Sequence, residues 1–210
     1  MFNTKTNKTM EQLINRAKQI LLKPKDEWEV ISSEETPIVK MLTSYVLPLS
    51  LIGVVASFIG LGLVGISIPF LGSIKSIEWG LFAAITHLII VVVGVVLSGW
   101  IISLLAPSFG TKLSIDNGVK LVGYSYTPIL VAAIFKIIPA LSILAALLGL
   151  YGLYLLYIGF RPITKVTEDK VTGYFLASLL VIIVAYFVLG LILGAILPIG
   201  PTSLVENFRF

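Results

Sequence analysis

Four stretches of this chain carry no charged residue, and each is long enough to cross a lipid bilayer. They cover residues 41–74, 79–111, 137–160 and 171–205. A helix that crosses a hydrocarbon core of about 30 Å needs about 20 consecutive apolar residues. Backbone groups in lipid must find hydrogen-bond partners within the protein, and these runs lack the alternation of barrel strands. The sequence therefore predicts an all-α integral membrane bundle.

The composition argues against a soluble domain. Hydrophobic residues make up 57% of the 210 residues and charged residues only 12%, whereas soluble domains carry about 25% charged residues. A soluble chain of this size would expose large apolar patches. The absence of cysteine excludes disulfides, thiolate catalysis and cysteine metal sites. Residues 1–40 are polar and basic, so no cleavable signal is expected there.

Five transmembrane helices are predicted. They cover residues 41–64, 79–105, 119–138, 139–160 and 171–197. The third reaches full length only if Lys120 and Lys136 extend their ammonium groups towards the headgroups. Pro128 is expected to kink this helix, and Pro139 is expected to begin the fourth after a tight hairpin.

The positive charges predict the orientation of these helices. With the amino terminus inside, the inner segments hold twelve lysines and arginines and the outer segments hold three, which is the bias of cytoplasmic loops. The chain then divides into an amino-terminal cytoplasmic segment (1–40), a five-helix membrane domain (41–197) and a short tail outside (198–210). A multi-pass protein of a cytoplasmic membrane is expected.

The amino-terminal segment is predicted to contain an amphipathic helix. Thr9 and Gln12 have the spacing of a capping box, so the helix is expected to begin at Thr9, and Pro24 is expected to end it. Apolar residues recur at helical spacing from Met10 to Leu21. This face either lies on the inner leaflet or packs on the cytoplasmic ends of the bundle. In the first interpretation, the interfacial candidates are Arg16, Lys18, Lys23, Lys25 and Trp28.

Few polar groups lie within the predicted spans, and such groups are functional candidates. His87 is the one ionisable residue well inside an apolar run. It is interpreted either as a proton carrier or metal ligand, or as a structural histidine bonded to a neighbouring helix. The run Tyr124-Ser-Tyr126-Thr-Pro128 either lines a cavity, as in the broken helices of transporters, or joins helices through hydroxyl bonds.

No residue set in the sequence indicates an enzyme, a cofactor site, a metal site or nucleic-acid binding. Glu168 and Asp169 precede the fifth predicted span, where they suit the positive end of a starting helix. Gly190 and Gly194 form a small-xxx-small pair, which is compatible with helix packing or with a homo-oligomer.

Three stretches together resemble the Yip-one (Ypt-interacting protein) family of multi-pass membrane proteins, in its short prokaryotic form. The first is Asn15-Arg-Ala-Lys-Gln-Ile-Leu-Leu-Lys-Pro-Lys-Asp-Glu-Trp28, and the second is Gly123-Tyr-Ser-Tyr-Thr-Pro128. The third runs from Gly159-Phe-Arg-Pro through Thr-Glu-Asp-Lys170 to Gly173-Tyr174. The resemblance implies five membrane helices with a cytoplasmic amino terminus, and it adds Lys170 and Tyr174 to the candidates. Eukaryotic members associate with Rab-type GTPases, but their Asp-Leu-Tyr-Gly-Pro motif is missing here.

The favoured hypothesis is a non-enzymatic scaffold or adaptor in the bilayer that binds protein or lipid partners at its cytoplasmic face. Anionic headgroups of the inner leaflet are the expected lipid partners, and a protein partner or a second copy of the chain is the other possibility. The role implied by the resemblance is membrane organisation or trafficking. The alternative is a small transporter or channel with a site near the third helix.

The orientation can be tested by protease access in sealed vesicles of one known polarity. We expect Lys165 to be cleaved only from the cytoplasmic face and Arg209 only from the other face, because an odd number of spans separates them. Cleavage of both from the same face would contradict the five-helix threading.

Overall fold

The computed structural model describes residues 3–68 and 72–196. The tail predicted at 198–210 lies outside these residues. The described part is almost entirely helical. Its α-helices are α1 (Asn3–Leu22), α2 (Pro24–Ser33), α3 (Ile38–Met41), α4 (Leu47–Phe58), α5 (Ile77–Leu105), α6 (Ile115–Ser125), α7 (Thr127–Ala132), α8 (Ser142–Thr164) and α9 (Glu168–Ile196).

Four helical segments are long and apolar enough to cross a membrane, and a bent pair of helices makes five if it is one span. The first, second, fourth and fifth spans are Ile38–Val64, Ile77–Phe109, Pro139–Thr164 and Glu168–Ile192. The third span consists of Ile115–Ser125 and Thr127–Ile137, which meet at an angle of 42°. The predicted all-α membrane bundle is therefore confirmed, with four to five candidate spans where five were predicted, and the third span breaks close to Pro128.

The outward faces of the spans are apolar, as a lipid-facing surface requires. Along α9, Leu180, Phe187 and Leu191 are each more than 60% exposed. In water, such a continuous surface would drive association. The chain is a multi-pass membrane protein.

The first span contains two wider, π-helical turns. One covers Leu42–Val46 and the other Ile59–Val64. The first of these turns lies just before Pro48, which has no amide hydrogen to donate to the carbonyl of Ser44. A local widening of the helix is a common response to such a missing bond. The amide of Ile38 donates to Asp116 Oδ1 at 2.9 Å, which fixes the start of this span to α6.

A short hairpin joins the first and second spans. Strands β1 (Ile66–Ile68) and β2 (Gly72–Ile74) pair antiparallel, with Ile66 opposite Ile74. Gly65 precedes β1 with a φ of +83°, a conformation that glycine adopts at little cost. This hairpin was not predicted from the sequence.

The break in the third span is repaired by hydroxyl groups. Pro128 has no amide hydrogen for the carbonyl of Tyr124, four residues earlier. The Thr127 hydroxyl donates to that carbonyl instead, at 2.6 Å. The hydroxyl oxygen of Thr127 also lies 2.7 Å from the hydroxyl oxygen of Tyr45 in the first span. The break is therefore closed within the protein, and it joins two spans.

Close backbone approaches hold the spans together at glycines. A Cβ on Gly80 would stand only 2.8 Å from the Cα of Gly62. A Cβ on Gly99 would stand 2.5 Å from the amide nitrogen of Val119. Without a hydrophobic driving force between helices in lipid, contacts of this kind supply much of the packing energy.

The amino-terminal helix begins earlier than the sequence suggested. The capping pattern predicted a start at Thr9, but α1 extends from Asn3, so Thr9 lies within the helix and the predicted start is wrong. The predicted end is confirmed, since α1 stops at Leu22 and α2 begins at Pro24. Pro24 suits the first turn of α2 because its missing amide hydrogen is not needed there.

Replacing Thr127 with valine should destabilise the bundle. The substitution keeps the shape of the side chain but leaves the Tyr124 carbonyl and the Tyr45 hydroxyl without this partner, at a cost of about 1–3 kcal/mol. Unfolding of the purified protein in detergent measures the loss. Thr43→Val is the matched control, because Thr43 is exposed and bonds only the Val39 carbonyl of its own helix. Equal stability of the two variants would contradict the repair role of Thr127.

Candidate functional site

The amino-terminal hairpin, defined here as residues 9–36 of α1, α2 and the turn after them, is the main candidate site. It docks against the bundle through one side of α1. Leu13 and Ala17 are each 7% exposed and Ile20 is fully buried. Burying a leucine or isoleucine side chain contributes about 1.5–3 kcal/mol. Of the two interpretations of the apolar face of α1, the structure therefore shows packing on the bundle.

The apolar sector of α1 is wider than this contact. Met10 and Ile14, one turn apart, are 49% and 59% exposed, and Leu22 is 68% exposed. We call these three residues the outer apolar stripe. Lys18, Lys23 and Lys25 are exposed on the same hairpin. The stripe faces away from the bundle, and these three lysines place positive charge on the same hairpin.

Trp28 fastens α2 to the bundle. Its side chain is fully buried, and its ring meets the Tyr124 ring edge-on at 6.3 Å between centroids. The backbone of Gly159 on α8 lies against the indole so closely that a Cβ there would overlap the ring. The expectation that Trp28 stands at the membrane boundary is therefore wrong, because its indole packs inside the protein.

Two side chains of the bundle hold the carbonyl ends of the hairpin helices. The Tyr151 hydroxyl donates to the Leu21 carbonyl at 2.8 Å, and the Lys120 ammonium donates to the Glu34 carbonyl at 2.6 Å. A cation at the carboxyl end of a helix also stabilises the helix dipole. Lys120 is only 1% exposed, so the expectation that it extends to the headgroups is wrong. It binds the end of α2 instead.

Arg16 closes the hairpin from within. Its guanidinium pairs with the carboxylates of Glu27 and Glu34 and lies 5.8 Å from the centre of the Tyr124 ring. Burial lowers the pKa of Arg16, but the surrounding Tyr124, Glu34 and Glu27 raise it, and its pKa ends above its usual value. The guanidinium is engaged by the protein and is not free for headgroups.

A polar cavity of about 740 Å³ lies between α1 and the start of the first span. Its walls include Gln12, Arg16, Glu35, Tyr45 and Tyr124. We call it the hairpin cavity. The rings of Tyr45 and Tyr124 meet edge-on at 4.6 Å and form its inner end.

A second cavity, of about 860 Å³, lies at the opposite end of the bundle. It contains His87, whose Nδ1 lies 2.9 Å from the Lys136 ammonium. Lys136 is half-buried, and its ammonium is turned towards the histidine. We call this the His87 cavity.

The run from Tyr124 to Pro128 joins helices through its hydroxyls. Besides the bonds at Thr127, the Tyr126 hydroxyl lies 2.5 Å from the Tyr186 hydroxyl of α9. Gly94 of α5 makes room for this pair, since a Cβ there would overlap Tyr186. Tyr124 also lines the hairpin cavity, so both interpretations of this run find a counterpart in the structure.

The candidates near the fifth span occupy the start of α9. Glu168 and Asp169 lie in its first turn, and Glu168 pairs with Arg161 at 3.3 Å on the surface. Exposed pairs of this kind contribute little stability. Lys170 is exposed. Tyr174 is fully buried, donates to the Ile102 carbonyl, and packs against the rings of two phenylalanines.

Several residues of the site were not singled out from the sequence. The role of Lys120 and Lys136 as binding groups was not predicted, and Tyr151 was not singled out. A lysine flanked by apolar residues inside a predicted span is the signal that could have identified both cations as binding groups. Within residues 3–68 and 72–196, no group of three or more histidine and acidic side chains is arranged to hold a metal ion.

The chain matches a known protein family. The profile described as Yip1 domain matches residues 18–192, which is most of the chain. The matched region includes all but the beginning of the hairpin and nearly all of the five spans. No curated protein and no solved structure matches the chain.

Adding one methyl group at Gly159 should loosen the hairpin. Gly159→Ala places a Cβ on the Trp28 ring, and overpacking of this kind costs about 1–3 kcal/mol. Hydrogen exchange of the amides in residues 24–36 should become faster. Gly173→Ala is the matched control, since the nearest atom to a Cβ there, on Phe109, is 3.7 Å away. Equal exchange in the two variants would show that Trp28 does not dock α2.

Proposed function

Because the chain belongs to the Yip1 domain family, we propose that it is a non-enzymatic membrane scaffold whose amino-terminal hairpin recognises lipid or protein partners at the cytoplasmic face. The family is not known for enzymatic activity. The outer apolar stripe is the single observation that carries the proposal. A stripe that is exposed on a helix already docked to a membrane domain is positioned to meet a further surface.

The position of the hairpin supports insertion into the inner leaflet. The turn after Leu22 reaches the level of Tyr151, and roughly 20 Å of helix separates Tyr151 from the end of α8 at Thr164. The carboxyl end of α1 therefore lies beside α8 and not beyond its end. Lys18, Lys23 and Lys25 are exposed on the hairpin and are the cations available to anionic headgroups.

The fixed geometry of the hairpin suits a scaffold. Trp28, Tyr151 and Lys120 hold it from the side of the bundle, and Arg16 holds its two helices together. A partner that binds the stripe therefore meets an ordered surface and pays little ordering entropy. Many buried side chains of the bundle interior are apolar, which supports a role at the surface. They include the side chains of Val46, Leu49, Val91 and Leu130.

A transporter or channel is the second candidate, and the two cavities favour it. The hairpin cavity and the His87 cavity enter the bundle from opposite ends, and each is lined by a π-helical turn of the first span. Alternating access would connect them in turn. Reconstituted vesicles that move no solute or ion across a broad panel would remove this candidate.

Polar substitutions on the outer apolar stripe should reduce partner recovery. In the variant Met10→Gln/Ile14→Gln/Leu22→Gln, we expect recovery of crosslinked partners from native membranes to fall about tenfold, because each exposed apolar side chain contributes about 0.5–1 kcal/mol when it is half covered. These side chains are exposed, so the fold should persist.

The control for this experiment is Val39→Gln. Val39 is 72% exposed and lies at the same end of the bundle, but it is not on the hairpin. Recovery that is unchanged in the stripe variant, or that falls as much in Val39→Gln, would contradict the proposal.

A further inference from the structure

The His87 cavity contains a cation without a counter-charge. Among residues 3–68 and 72–196, no aspartate or glutamate pairs with Lys136. The Lys136 ammonium contacts His87. An ammonium group only donates hydrogen bonds, so His87 Nδ1 accepts and the imidazole proton lies on Nε2. The pair therefore leaves a positive charge at this end of the bundle uncompensated.

Such a charge within a membrane domain is costly. Ionisable groups at membrane depth are normally paired, or they mark a binding site or a pathway. The imidazole is itself confined, because a Cβ on Gly53 of the first span would overlap its ring. Its Nε2 is buried without a hydrogen-bond partner among the described residues. His87 thus holds the Lys136 ammonium in place and does not neutralise it.

Apart from Ser57 and Thr86, the rest of the cavity lining is apolar. Its walls include Leu61, Phe82, Ile90 and Ile138. The volume of about 860 Å³ lies within the range of about 300–1,000 Å³ that small-molecule sites occupy. A small inorganic anion would leave the apolar part empty. The cavity combines one fixed cation with room for hydrocarbon.

We propose that the His87 cavity is a binding site for an anionic glycerophospholipid, with the phosphodiester on the Lys136 ammonium and acyl chain along the apolar walls. Lys136 lies at the end of the third span and just before the fourth, and the ends of membrane spans meet the headgroup region. One ammonium complements the one negative charge of a phosphodiester.

The test uses the full chain in nanodiscs of zwitterionic lipid that contain a minor fraction of phosphatidylglycerol with a photoreactive acyl chain. After illumination, mass spectrometry should find the label on peptides that contain Leu61 or Ile90. Lys136→Gln should reduce this labelling about tenfold, the loss expected when a hydrogen bond to a charged group is removed. Lys136→Arg keeps the charge and should retain most of it.

Lys75→Gln is the matched control, because Lys75 is an exposed lysine that precedes the second span at the same end of the bundle. It should label as the unchanged protein does. Equal labelling of Lys136→Gln and the unchanged protein would overturn the proposal. So would equal labelling by a photoreactive phosphatidylcholine, because the cavity would then not recognise the charge. Displacement of the label by a fatty acid at equal concentration would likewise overturn the assignment to a phosphodiester lipid.

A second measurement follows the site without relying on the folding of a variant. His87 is the only histidine in the chain, so ¹⁵N labelling of histidine gives imidazole signals from this site alone. Adding phosphatidylglycerol to zwitterionic nanodiscs should shift these signals in the unchanged protein, since the lipid would bind the ammonium that His87 contacts. Signals that do not move across the titration would contradict the proposal.

Discussion

In a bilayer, every backbone carbonyl that a helix leaves free must find a donor within the protein, and this requirement organises the structure. The break at Pro128 frees the carbonyl of Tyr124, and Thr127 supplies the donor. The carboxyl end of α1 frees the carbonyl of Leu21, and Tyr151 supplies the donor. Each such bond also joins segments that are distant in sequence or closes a break in a span. The polar side chains within the membrane domain therefore serve mainly to complete the backbone.

The same requirement explains why the amino-terminal hairpin is part of the membrane domain. Lys120 is buried because the carbonyl end of α2 needs a donor, and Trp28 is buried because Gly159 leaves room for its ring. With one face docked, the surplus apolar stripe on α1 faces outwards. The proposed scaffold function depends on this division. The pair of His87 and Lys136 is different, because it completes no backbone and leaves a charge uncompensated.

Features that depend on hydropathy and on local chemistry could be predicted from the sequence. Charge-free stretches predicted four of the five spans, and the missing amide hydrogen of Pro128 predicted the kink in the third. Features that depend on tertiary partners could not be predicted in this way. Tryptophan is a residue type typical of membrane interfaces, so the sequence alone places Trp28 there. Only its contact with Gly159 in the folded structure shows that its side chain is buried. Lys120 likewise looks like a lysine that reaches the headgroups until the end of α2 is placed beside it.

The central claim is that the hairpin is fixed to the bundle in the bilayer, and a distance measurement tests it most directly. The chain has no cysteine, so the double variant Lys18→Cys/Lys112→Cys carries spin labels at two exposed positions only, one on α1 and one in the loop after the second span. Pulsed electron spin resonance in nanodiscs should give a single narrow distance distribution. A broad distribution over tens of ångströms would show that α1 moves freely, and it would contradict the account.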